Sequence, residues 1–363
     1  MKLKILHYVD ENNLVWARPW LQLIKYLENC GVENHILCRP GGSLGRQVME
    51  NSISLSTYKP FIASVPHLCQ GISAKIKRIK PDIIHTRLSS AAMIGGYWGK
   101  RLGVPVLSTI DKYPKKKYYL NSDKIIPCSS AVASHMKSVG FSESDIKLIY
   151  NPVNMDEYRK DLPRREDFRR KNNFDADDFI ILGAGRFVDW KGFDTLIKAC
   201  SILRESDAIK KNWKLWLVGD GPEMAEYKKC VTDFSMNEKT TFWGFQRDIK
   251  KLLWAADLFV QPSREPEGFS LMLLEAMAAG LPAVATAIGG TTDILDDEQS
   301  GWLFEPDDVQ KLAAILQWTL LTDNLNNFSN NAQMKAENFS VEKIGDQTIR
   351  FYEIVNRERQ RAS

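Results

Sequence analysis

The chain has 363 residues, 44% of them hydrophobic and 26% charged; these are globular values, and the length exceeds one ordinary core, so two domains are expected. No apolar stretch approaches the roughly 20 residues of a membrane-spanning helix, and residues 1–10 lack the long apolar region of a signal peptide, so a cytoplasmic protein is expected. Cys30, Cys38, Cys69, Cys128, Cys200 and Cys230 include no close pair such as C-x-x-C, which argues against a metal knuckle or a disulfide framework. The net charge of +4 conceals an asymmetry: residues 1–150 carry 21 Lys+Arg against 10 Asp+Glu, and the remainder 28 against 35. A basic front half concentrates anionic partners, among them an anionic acceptor, a membrane surface or nucleic acid; it is also what a plain solvated surface looks like.

Lys2–Val9 alternates as a first strand, Trp20–Leu27 follows at helical spacing, and His35–Cys38 reads as the next strand. This β-α-β opening predicts a parallel sheet. Its repetition through residues 81–85, the helical run Ala91–Leu102 and the strand Val104–Thr109 predicts a doubly wound domain, which Ser122–Ser129, a helix over Ala131–Gly140 and Ile146–Tyr150 complete. Asp156–Asp178, dense in charge, reads as linker plus a short helix. Its Asp175-x-Asp177 pair only superficially forms a metal-binding D-x-D, because a strand follows directly. Phe179–Arg186 opens a second set of β-α units, with a helix over Asp194–Leu203 and strands at 214–218, 240–243, 258–261, 283–286 and 301–304. Gly183-x-Gly185 has Val188 at the third glycine position, and Gly219-x-Gly221 has Met224, so neither forms a dinucleotide fingerprint. From Val309 the pattern is helical to Val355, and a polar tail from Asn356 is expected to fray.

The stretch around which the chain is organised is Glu267-Gly-Phe-Ser-Leu-Met-Leu-Leu-Glu275. Ser270 is placed to cap a helix over Leu271–Ala279, stopped by Gly280 and Pro282, which leaves backbone N–H groups at residues 269–271 for an anion. Glu267 before the helix and Glu275 in its second turn add two carboxylates beside that anion site, a set suited to a polyol carrying phosphates. Taken singly, each would be an ordinary solvated glutamate. Upstream, Arg186 and Lys191 flank a short loop after a strand, where open α/β sheets bind ligands, and two cations suit a leaving diphosphate.

The text from Val260 to Thr286 resembles the signature of the retaining GT-B glycosyltransferases of family 4, with their Glu-x7-Glu spacing. The resemblance implies an α/β fold of the GT-B kind: two doubly wound Rossmann-like domains facing a central cleft, with the C-terminal helix returning to the N-terminal domain. The implied boundaries are residues 1–165 plus helix 340–360 for acceptor binding, and residues 173–339 for donor binding. It places Glu267 by the donor sugar, Glu275 on the ribose, and the backbone of Gly268, Phe269, Ser270 and Leu271 against sugar and diphosphate. Arg186 and Lys191 match the family's phosphate-binding pair. Gly219 shapes the nucleotide pocket, and Gly244 with Phe245 lies where the base is met. Two departures stand in the front half. The family's paired glycines after the first strand are replaced by Asp10-Glu-Asn-Asn-Leu-Val-Trp16, and its histidine near Thr109-Ile-Asp111 is missing, which leaves Asp111 either to receive the acceptor proton or to serve as a turn residue.

The function expected from the resemblance is transfer of a sugar from a nucleoside-diphosphate donor, UDP favoured over GDP, to a hydroxyl of a glycan or glycolipid in bacterial lipopolysaccharide, capsule or other surface polysaccharide synthesis. No metal and no further cofactor is expected. The basic-aromatic run Asp111–Leu120 could grip an anionic glycolipid or the cytoplasmic face of the inner membrane, or could be a solvated loop. No recognition motif for nucleic acid is present. Two other readings stay open: a nucleotide-sugar epimerase on the same fold, and a non-catalytic sugar-nucleotide-binding subunit.

Overall fold

The computed structural model describes residues 2–14, 16–62, 64–159 and 161–362. They divide into two units, Met1–Asn154 with Phe339–Ser363, and Met155–Asn338. In the first unit, β1 (Lys4–Val9), β2 (Glu33–Cys38), β3 (Ser54–Thr57), β4 (Ile83–Arg87), β5 (Val106–Ile110) and β6 (Lys124–Pro127) pair in the order β3-β2-β1-β4-β5-β6, every pairing parallel. In the second, β7 (Phe179–Ala184), β8 (Trp213–Val218), β9 (Thr240–Gly244), β10 (Leu258–Gln261), β11 (Ala283–Thr286) and β12 (Gly301–Phe304) pair in the order β12-β11-β10-β7-β8-β9, again all parallel. Each sheet therefore reverses its winding once, between β1 and β4 and between β7 and β10. Such a switch point opens a crevice at the strands' carboxyl ends.

The central strands are apolar because helices cover both faces: every residue of β5 and of β7 is buried. Two helices flank the first sheet. Gln70–Ile79 buries Ile72 and Ile76 against Leu6, Ile84 and Val106, and Ser89–Leu102 packs beside it. The last helix, Val341–Ala362, also belongs to this unit: Ile344, Phe351, Tyr352 and Val355 join Ile5, Leu27 and Leu107 in one core cluster. Burial of this kind stabilises by roughly 1.5–3 kcal/mol per large side chain.

The structure differs from the sequence expectations in three places. β3, Ser-Leu-Ser-Thr, is an edge strand too short and polar to signal itself. The helix does not fray at Asn356 but continues to Ala362, where the basic residues suit a helix C-terminus and Arg359 donates to the carbonyl of Asp82 at 3.0 Å. Residues 155–165, assigned by sequence to the first domain, fall in the second unit. There the helix Leu162–Lys171 packs on Lys250–Ala255, and Arg165 donates to the carbonyls of Trp254 and Ala256 at 2.8 and 2.7 Å.

Candidate active site

At the switch point of the second sheet the chain leaves β7 through Gly185, Arg186 and Phe187, makes a short 3-10 turn over Asp189–Lys191, and enters the helix Phe193–Arg204. It leaves the neighbouring β10 through Pro262 and reaches Glu267 before the helix Leu271–Ala278. These two loops converge. Lys191 Nζ donates to Glu267 Oε1 at 2.7 Å, and the Ser263 hydroxyl donates to the same oxygen at 2.7 Å. Both members of the ion pair are largely covered, their side chains 12% and 14% exposed. The Lys191 ammonium also lies 4.8 Å from the centroid of the Trp190 ring. Gly192 permits the approach: its φ is +65°, and a Cβ there would run into the carbonyl of Pro262.

Ser270 caps the helix, its hydroxyl accepting from Leu273 N at 3.3 Å and donating to Gln261 Oε1, so the hydroxyl serves the loop while the first-turn N–H groups, which have no partner inside a helix, face the helix mouth. Gly268 is buried, and Phe269, Leu271 and Glu275 are half-buried. The carbonyl of Glu267 accepts from Gly290 N at 2.9 Å, which fixes the backbone of the carboxylate-bearing residue. Arg186 is exposed directly after Gly185. Gly219, Gly185 and Gly244 meet: Gly219 N donates to Gly244 O at 2.9 Å, and a Cβ on Gly219 would collide with the carbonyl of Gly185. The Phe245 side chain beyond them is 73% exposed. The fold thus brings Lys191 to Glu267, and Gly219 to Gly244, across long stretches of sequence.

Asp111 belongs to the first unit, just past β5. Its Oδ1 accepts from Arg87 Nη2 at 3.4 Å and from Asn151 Nδ2 at 3.3 Å, while Arg87 also donates to Asn151 Oδ1; Asp111 Oδ2 is buried without a hydrogen-bond partner. The Arg87 guanidinium lies 4.8 Å from the centroid of the Trp16 ring. The loop after β1 is built without glycine pairs: Asn12 Nδ2 donates to Pro40 O at 3.0 Å, Asn13 Oδ1 accepts from Ser43 N at 2.8 Å, and Arg39 forks onto buried Asp10 at 2.7 and 2.9 Å. Val15 of that run lies outside the described residues. Two histidines stand on the neighbouring strands. His85 bridges Thr109 Oγ1 at 2.7 Å and the Tyr352 hydroxyl at 2.5 Å, and His7 bonds Asn34 Oδ1 at 2.9 Å. Burial pushes His7 down to about 4, against the pull of its Asn34 bond, and holds His85 well below the usual histidine value, so both are neutral near pH 7. They line a cavity of about 30 Å³ with Arg87, Asn151 and Tyr352, large enough for a water molecule and otherwise walled mainly by apolar side chains such as Ile24, Leu27 and Ile149.

Sequence reading assigned no role to Arg87, Asn151 or Arg264. The first two were visible only as a lone Arg ending an apolar strand and an Asn opening an N-P turn. Among the described residues no group of three or more His, Cys, Asp or Glu is arranged to hold a metal, and no helix is long and apolar enough to cross a membrane.

The architecture is that of a GT-B glycosyltransferase. Anabaena HepE, solved in complex with UDP, superposes with a TM-score of 0.85 at 21% identity over 97% of this chain and 100% of its own, and a glycosyltransferase from Rickettsia africae with 0.86 at 24% identity over 98% of each. The sequence matches the profile of glycosyl transferases group 1 over residues 164–335 and that of Glycosyltransferase Family 4 over residues 18–157. The lipopolysaccharide core biosynthesis glycosyltransferase LpsD of Rhizobium meliloti is 28% identical over 320 residues, 87% of each chain. The UDP-Gal:alpha-D-GlcNAc-diphosphoundecaprenol alpha-1,3-galactosyltransferase of Escherichia coli is 25% identical over 369 residues, 92% of each. The chain belongs to glycosyltransferase family 4, the retaining glycosyl transferases group 1, and is a glycosyltransferase.

Proposed function

We propose that the protein moves a sugar from a UDP-sugar, in preference to a GDP-sugar, to a hydroxyl of a glycan or glycolipid during synthesis of a bacterial surface polysaccharide, with retention of the anomeric configuration and without a metal. The observation that carries the reading is the 2.7 Å contact of Lys191 with Glu267 at the carboxyl ends of β7 and β10. Lys191 and Arg186 meet the diphosphate, whose negative charge grows as the glycosidic bond breaks, so they stabilise the transition state more than the ground state. Glu267 orients the sugar, the N–H groups of Gly268 to Leu271 hold phosphate and sugar, Glu275 takes the ribose, and the turns at Gly219 and Gly244–Phe245 receive the base. Residues 173–339 thereby form the donor half. The first unit forms the acceptor half, with Asp111 Oδ2 accepting from the attacking hydroxyl. UDP is preferred because the Escherichia coli relative is named for UDP-Gal, and a surface glycan because that relative and the Rhizobium one are named for lipid-linked and lipopolysaccharide acceptors.

The test is a panel of nucleotide sugars followed by NMR. Release of UDP from one donor, with the anomeric configuration kept in the product, is the expected result; appearance of an epimeric donor, or binding without turnover against every lipid-linked glycan offered, overturns the reading.

On the same reading the protein works at the cytoplasmic face of the inner membrane. Lys112, Lys115, Lys117 and Leu120 are exposed on one segment after β5 and suit anionic headgroups. Co-sedimentation with phosphatidylglycerol vesicles but not with phosphatidylcholine is expected, and is lost on changing the three lysines to glutamate; equal behaviour of variant and wild type sinks this assignment.

A further inference from the structure

Arg264 stands three residues before Glu267, and each of its side-chain nitrogens reaches a different segment. Nε donates to Asp307 Oδ1 at 2.6 Å, in the loop after β12. Nη1 donates to the carbonyl of Asp189 at 2.9 Å and to its Oδ1 at 3.1 Å, in the turn that carries Lys191. Nη2 donates to both carboxylate oxygens of Asp194 at 2.7 and 2.6 Å, in the first turn of the helix Phe193–Arg204. The backbone N–H of Arg264 donates to Trp190 O at 2.7 Å, and the Thr195 hydroxyl closes the ring onto Asp307 Oδ1 at 2.9 Å. The two carbonyls immediately before Lys191 are thus both tied to Arg264, and Gly192 immediately after it rests on Pro262. A planar fork with five N–H donors spread over three nitrogens serves three segments at once, whereas an ammonium offers three donors from a single point.

Three carboxylates surround this one guanidinium, so the hub is not itself an attractive place for a diphosphate. Although burial opposes the charge on each, mutual hydrogen bonding holds Asp194 below the usual carboxylate range and Arg264 above its ordinary value. What the hub does is join the loop bearing Lys191 to the loop bearing Glu267.

We propose that Arg264 is a positioning residue of the donor site, acting through Lys191 and Glu267 by fixing both loops at the separation where their 2.7 Å contact forms, without touching the nucleotide. This rests on reading Lys191 as a diphosphate-binding group. A displacement of about 1 Å at such a group can cost on the order of 100-fold in turnover.

The test is a double-mutant cycle on nucleotide affinity, with UDP and GDP as probes in calorimetry on the full chain, and thermal unfolding of every variant alongside. Arg264→Ala and Lys191→Ala are each expected to weaken binding of the preferred nucleotide by roughly tenfold or more, and the double variant to bind no worse than Lys191→Ala alone, because residues acting as one unit are not additive. Arg264→Lys is expected to behave like Arg264→Ala. Should Arg264→Ala fail to fold, Asp307→Asn replaces it in the cycle. That change removes one arm's charge at a residue whose φ of +60° asparagine adopts readily, and a milder, equally non-additive loss is expected. Wild-type affinity in the Arg264 variants, or a double variant whose loss is the product of the single losses, overturns the proposal while leaving the donor site standing. Lys191→Ala binding both nucleotides as the wild type does, or neither nucleotide binding the wild type, overturns the donor-site reading and this proposal together.

Discussion

Replacing Lys191 with alanine is expected to lower the rate of nucleotide release by roughly 10³-fold, the range seen when a preorganised group aimed at developing charge is removed. Two effects act in the same direction. On the proposed reading the variant loses the ammonium that faces the leaving diphosphate, and it removes the cation that offsets the Glu267 carboxylate, 14% exposed, where another negative charge is building. Glu267→Gln removes the second effect, since an amide still accepts from Ser263 and carries no charge. The double variant Lys191→Ala/Glu267→Gln is therefore expected to be less impaired than Lys191→Ala alone, the inversion expected of a carboxylate whose charge Lys191 offsets beside the reacting phosphate. The measurement is single-turnover release of UDP followed by NMR or by a coupled assay, with unfolding curves to show that the variants are folded. Undiminished release by Lys191→Ala would remove this residue from the chemistry.

Much of the fold is written in local chemistry. β7 reads Phe-Ile-Ile-Leu and β10 Leu-Phe-Val because helices cover both faces of a parallel sheet, so hydrophobic runs mark them without any alternation. β3 stays silent because an edge strand of four residues needs no apolar face. The chemical types at the candidate site are equally legible, since glutamates spaced by seven residues around a helix start and a cation pair after a strand are local patterns. Their pairing is not legible: Lys191 and Glu267 are 76 positions apart, and only the β7-to-β10 neighbourhood brings them to 2.7 Å. Arginines conceal most. In a charged stretch Arg169 looks like a solvated linker residue and Arg264 like one charge among several, yet both are covered because partners far along the chain neutralise them. Burial of a charge depends on its partners, and its partners depend on the fold.

Arg169 provides the sharpest test of that dependence. Its side chain is 3% exposed and donates to the carbonyls of Ala255 at 2.7 and 2.9 Å, of Ala176 and Asp178 at 2.9 Å each, and to Asp257 Oδ2 at 2.7 Å. Asp257 in turn accepts from Arg165 Nη2 at 2.6 Å and from Ile180 N at 2.8 Å, so the guanidinium links the helix Leu162–Lys171 to the starts of β7 and β10. Arg169→Ala would strand these three carbonyls and that of Asp175, to which Nη1 also donates at 3.3 Å, and weaken the compensation of a half-covered carboxylate. Breaking a buried pair from one side costs about 3–5 kcal/mol. For a unit of this size each kcal/mol shifts Tm by roughly 2–4 °C, which sets the expected fall at about 6–20 °C. Arg169→Met fills the volume but satisfies none of the acceptors, so it should recover little, whereas Asp257→Asn keeps the amide contact and should cost less than either. A scanning-calorimetry trace in which Arg169→Ala unfolds within about 2 °C of the wild type, less than the smallest shift expected here, would show that water reaches these carbonyls and that the helix Leu162–Lys171 is held by its apolar contacts alone.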